Sequence, residues 1–149
     1  MRLLADLLII LGFTAPAIAA GPAQQSIKTA KPFSQLVDDL RAAVKQHKML
    51  VVTQACASCG AKGRGIVIPG NMVVGVYRND FAIRMLEADI DAGIEAPIRF
   101  YVTENADQTA TLSWRKPSDV FAPYDNAGLT AMAVELDGIF TVIAADAAQ

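Results

Sequence analysis

The sequence predicts an α+β domain, and three patterns carry that prediction. Phe33, Leu36, Val37, Leu40 and Val44 recur at helical spacing, with Asp38, Asp39, Arg41 and Lys45 on the other side. Ile98, Phe100 and Val102, then Ala110, Leu112 and Trp114, alternate with more polar neighbours on either side of Asn105-Ala106-Asp107-Gln108, the pattern of a hairpin. Leu129, Met132, Ala133, Leu136, Phe140 and Ile143 then mark a long final amphipathic helix that tolerates Gly138.

The elements follow in order from the N-terminus. An apolar run from Leu7 to Ala20 is shorter than the ~20 residues of a bilayer span and ends in Ala17-Ile18-Ala19-Ala20. A small-x-small ending after such a run reads as a cleavable secretory signal over residues 1–20. The expected product is a single domain over 21–149, periplasmic or secreted. Residues 27–30 suit a first strand. Pro32 is expected to open the first helix, which runs to about Gln46. Met49 to Thr53 reads as a short buried strand, and 54–65 as irregular or a brief helix. Val73 to Tyr77 is a further strand. Asn79 suits the N-cap of a helix through Phe81, Met85, Leu86 and Ile90, closed by Gly93 and kept from resuming by Pro97. Segment 66–76 is broken by Pro69, Gly70, Asn71 and Gly75, so no later stretch is expected to span a membrane.

Two stretches go beyond pattern: Tyr77 to Asn105, YRNDFAIRMLEADIDAGIEAPIRFYVTEN, and Ser113 to Tyr124, SWRKPSDVFAPY. With Leu129 to Ala144, LTAMAVELDGIFTVIA, they resemble the family called domain of unknown function 302. The resemblance implies a TATA-binding-protein-like α+β fold: a curved antiparallel sheet of about four to five strands, helices mainly on one face, often a homodimer. It implies no catalytic motif. The segment Ala55 to Gly65, ACASCGAKGRG, departs from relatives, which are more helical and alanine-rich there.

A net charge of −2 and a pI of about 5.3 lack the basic footprint of a nucleic-acid binder, so no nucleic-acid partner is expected. Cys56 and Cys59 are the two cysteines of the chain. In an exported protein the pair reads as a disulfide. Its small loop restrains the unfolded chain little, which leaves thiol–disulfide exchange and metal capture open as chemical roles. Two thiolates make half of a zinc site, with His47 and Met49 the nearest further ligands in sequence. The wording is also similar to copper-binding loops, with Gln54 where those carry methionine. Covalent haem is not expected, because Gly60 stands where the motif needs histidine.

Lys62, Gly63 and Arg64 form a basic glycine-rich stretch able to cradle an anion, though a plain connector fits it better. His47, the one histidine, is expected to cap the first helix. Glu87, Asp89, Asp91 and Glu95 read as a solvated face, and Met72, Met85 and Met132 as core. If helices cover one side of the sheet, Arg99, Tyr101, Ser113 and Arg115 must meet solvent, a partner subunit or a ligand. One histidine leaves little general-base machinery. The sequence therefore reads as an exported binding or interaction domain without an evident catalytic site and with no cofactor specified. The alternative is thiol redox or metal handling, copper or zinc, through Cys56 and Cys59. A homodimer, a small ligand or a metal ion are the partners in view.

Overall fold

A computed structural model describes residues 23–149. The expected signal over residues 1–20 lies outside them.

The chain runs β1 (Gln25–Pro32), α1 (Phe33–Gln46), β2 (Leu50–Ala55), α2 (Ala57–Gly63), β3 (Asn71–Tyr77), α3 (Asn79–Ala88), β4 (Ile98–Glu104), β5 (Thr109–Trp114), α4 (Pro117–Phe121) and α5 (Ala127–Ala148). A 3-10 turn, Ile90–Glu95, joins α3 to β4. All five strands pair antiparallel in the order β1-β5-β4-β3-β2. The expected α+β class and strand number hold.

Alternation sets the layers. Met72, Val74 and Val76 of β3, Ile98, Phe100 and Val102 of β4, and Ala110, Leu112 and Trp114 of β5 are all buried, as period-two side-chain direction requires. They share one core with Leu36, Val37, Leu40 and Val44 of α1, Phe81 and Met85 of α3, and Leu129, Met132, Phe140 and Ile143 of α5. Each large side chain taken fully out of water there contributes about 1.5–3 kcal/mol. The positions between them, among them Asn71, Val73, Arg99, Tyr101 and Thr111, are part-buried or exposed. Helices thus cover one face and leave the other open.

Several local readings are corrected. Pro32 is the N-cap of α1, not its first turn: its backbone is extended (ψ 154°) and still pairs with Thr109, so it closes β1 while opening the helix. Arg78, not Asn79, caps α3. That helix stops at Ala88 instead of continuing to Gly93, because Asp89 is extended and its carboxylate accepts the Asp91 N–H. A side chain that offers the backbone a local bond of this kind competes with helix. Ile90 is left exposed as a result. α4 was not expected; Asp137 on α5 accepts both the N–H and the hydroxyl of Ser118, 2.9 and 2.5 Å away, and holds its first turn.

The expectation that no later stretch reaches span length is also corrected. Among the described residues one helix, α5, is long and apolar enough to cross a membrane by length and composition. Its packed side accounts for part of that apolarity, while Val134 and Val142 are exposed. Phe140, Ile143 and Ala144 are fully buried, α5 packs against α1, α3 and α4, and Asn126 caps its start by accepting from Gly128 and Leu129. Its far end is tied twice: Lys31 Nζ donates to the Ala147 carbonyl at 2.9 Å, and His47 Nε2 lies 2.6 Å from Asp146.

Candidate functional site

The open sheet face is organised by the β4–β5 register. Phe100 stands opposite Trp114 and Tyr101 opposite Ser113. Continuing that register one residue places Arg99 across from Arg115, immediately after β5. Residues two apart share a face, so Arg99, Tyr101, Ser113 and Arg115 form a two-by-two block on the side away from the helices. The sequence named these four, and the fold brings them together.

The block lies in a concavity of about 330 Å³, whose lining also includes Val73, Glu95, Ile98, Trp114 and Val120. That volume is at the small end of ligand sites. Arg99, Arg115 and Tyr101 are exposed at its wall, whereas Ser113 is buried, a correction to its expected place on an open surface. Neighbouring side chains close over so short a residue. Trp114 points to the core but lends an edge to the wall, being 8% exposed.

Charge pairing separates these arginines from most others. Arg41 pairs with Asp38, Arg78 with Asp80 and Arg84 with Glu135, at 2.6–2.8 Å. Among the described residues neither Arg99 nor Arg115 has a carboxylate within ion-pair distance. The nearest acidic lining residue, Glu95, accepts from the Tyr124 hydroxyl at 3.3 Å. Partial burial, then the Glu95 charge, hold the Tyr124 phenol above its usual range. From sequence Glu95 reads as part of a solvated exit loop. The break after α3 is what turns it toward the sheet.

The second candidate, the cysteine pair, follows the edge strand β2, whose last residue Ala55 pairs with Val73. Cys56 and Cys59 form a disulfide, with Cα atoms 5.3 Å apart. Cys56 is the N-cap of α2, and its sulfur accepts the Cys59 N–H at 3.1 Å. Ser58 accepts from Asn71 N at 3.2 Å and pins the turn to β3. Cys59 is exposed and α2 has no buried residue.

Neither proposed extra ligand joins the pair. His47 is engaged by Asp146 and Met49 is in the core. Among the described residues no three His, Cys, Asp or Glu side chains gather as a metal site. Lys62 and Gly63 are the last residues of α2 and Arg64 its C-cap, with Arg64 N–H bonded to Ala61 and Gly65 N–H to Lys62. An exposed helix C-terminus presents carbonyls, which do not cradle an anion.

The family model described as "Domain of unknown function DUF302" matches residues 25–144. The chain belongs to the DUF302 family. A solved relative has the same fold: the crystal structure of an uncharacterized conserved DUF302 protein from Bacillus stearothermophilus. It superposes on this DUF302 chain with a TM-score of 0.75 and 15% identity, over 85% of this chain and 98% of the other. None of the curated proteins matches this DUF302 chain.

Proposed function

We propose that this DUF302 protein is an exported binding domain whose site is the concavity on the open face of its sheet. One observation carries the reading: the unpaired Arg99 and Arg115, with the Tyr101 and Ser113 hydroxyls, converge in a concavity with apolar walls. A few polar groups converging between apolar walls are what small-ligand sites are made of. The joined cysteines support an oxidising compartment, and so the exported location.

Trp114 is the one tryptophan, so the protein's tryptophan emission comes from a ring that borders this wall. Small molecules that bind the concavity should shift that emission saturably, and Tyr101→Ala should weaken the shift. Binders that leave Trp114 untouched, or an unaffected Tyr101→Ala protein, refute the site. A partner subunit seated on the same face would be displaced by such ligands, which sedimentation with and without them detects.

The second reading is thiol–disulfide exchange at Cys56 and Cys59, with metal capture by the reduced pair. It is favoured by the exposure of Cys59 at the start of a helix that buries no residue of its own. Titration in graded thiol buffers, with and without Cu(I) or Zn(II), tests it. A midpoint below about −300 mV with no metal uptake leaves an inert staple.

A further inference from the structure

We infer that the ligand of this concavity is a small oxyanion, a carboxylate or phosphate on an apolar body, held between Arg99 and Arg115. The inference deepens the binding-site reading above and rests on it.

Like charges directly opposite each other across an antiparallel ladder repel. Arg99 and Arg115 occupy such opposed positions, and no carboxylate on the described surface relieves them. The local charge runs against that of the molecule. The chain carries −2 overall, yet the lining holds two arginines and one glutamate, a sum of +1. The single acid, Glu95, is turned to Tyr124. An anion between the guanidiniums converts a repulsion into two attractions.

The chemistry of the donors fits the same occupant. A guanidinium presents a planar fork of N–H groups that matches the two oxygens of a carboxylate or phosphate. One step along the strands, the Tyr101 and Ser113 hydroxyls add O–H donors. Beside Gln24 and Glu95, the lining includes Val73, Ile98, Val120 and the Trp114 edge, which offer contact to an apolar body. The modest volume suits a molecule with one such body and one charged head.

Three probes share a body and differ in the head: benzoate, phenyl phosphate and benzyl alcohol. Amide shifts are followed by NMR at fixed ionic strength in the parent protein, Arg99→Gln, Arg115→Gln and the control Arg64→Gln. At least one anion should move the amides of residues 99–101 and 113–115, and the tighter anion identifies the head. Benzyl alcohol should bind at least about tenfold more weakly, and each Gln variant should lose about tenfold in affinity, as expected for a charge-assisted bond. Arg64→Gln should bind like the parent, and added chloride should weaken the complex. If a Gln variant unfolds, Arg99→Lys and Arg115→Lys keep the charge, lose the fork and should still weaken binding. Benzyl alcohol binding as tightly as the anions, indifferent to both Gln changes, overturns the anion while the binding face stands. No shift at the face with any probe overturns both.

Discussion

Phe100 and Phe140 stack with ring centroids 4.7 Å apart and planes 15° from parallel, joining the centre of the sheet to α5. Both rings are fully buried. Phe140→Ala should cost about 3–5 kcal/mol, transfer and cavity terms together, while Phe140→Leu should cost less. Urea unfolding curves measure both. Equal, small losses would mean the helix is not seated by this pair.

Trp114 is tilted against Phe100 at 5.9 Å and is nearly buried. Trp114→Ala should also cost about 3–5 kcal/mol. The β4–β5 register predicts a blue-shifted emission in the parent protein. An unchanged melting curve in the alanine variant would place the ring on the wrong side of the sheet.

Removal of the disulfide should cost less than loss of a core aromatic ring. Four residues close the loop, so Cys56→Ser with Cys59→Ser should cost no more than about 2 kcal/mol on the chain-entropy account. Calorimetry of the double variant beside the reduced parent gives the answer. A large loss common to both would make the turn a structural brace.

Asp107 should titrate anomalously. The Thr109 hydroxyl, and next Lys28, depress its carboxyl to about 2 from an ordinary 3.8. The group is protonated later in the folded state than in the unfolded one. Its contribution is therefore present in full above the unfolded value of 3.8 and is lost as pH falls through about 2. Carbon-detected NMR titration should find the low value. Thr109→Val should raise it more than Lys28→Met does, and the reverse order would contradict the assignment of causes.

Gly75 has no room for a side chain. A Cβ there would meet the Thr53 hydroxyl and stand 2.8 Å from Pro97 Cγ. Gly75→Ala should cost about 1–3 kcal/mol through overpacking and push β2 or Pro97 aside. Because Gly75 pairs with Arg99, the amide of Arg99 should shift as well.

The parts of this fold legible in the sequence are those held by neighbours close in the chain. The α1 stripe and the β4–β5 alternation are local periodicities, so Leu40, Phe100 and Trp114 were placed correctly as core. The misreadings came from partners distant in sequence or from side chains competing with the backbone. Ser118 begins a helix because Asp137, nineteen residues on, receives its N–H. Asp89 ends a helix that its apolar neighbours would have continued. The four residues of the sheet-face block are legible from alternation alone, but the opposition of Arg99 and Arg115 is not. A turn over residues 105–108 would set Arg99 across from Trp114, whereas Asn105 bonds to Thr109 and shifts the register by one. The inward turn of Glu95 was not legible, since it depends on where α3 breaks.

The order of the sheet has a bearing on how the chain comes together in time. β1 is an outer strand whose single neighbour is β5, and Lys31 at its end reaches the Ala147 carbonyl of α5. Among the described residues, this earliest strand finds its pairing partner only once Thr109 to Trp114 have been made. Until α5 follows, the face of α1 that packs against it stays open to water. Late closure of long-range pairs is slow compared with local helix formation. Among the described residues, closure of the sheet edge at β1 and of the α1 face thus waits until β5 and α5 have been made.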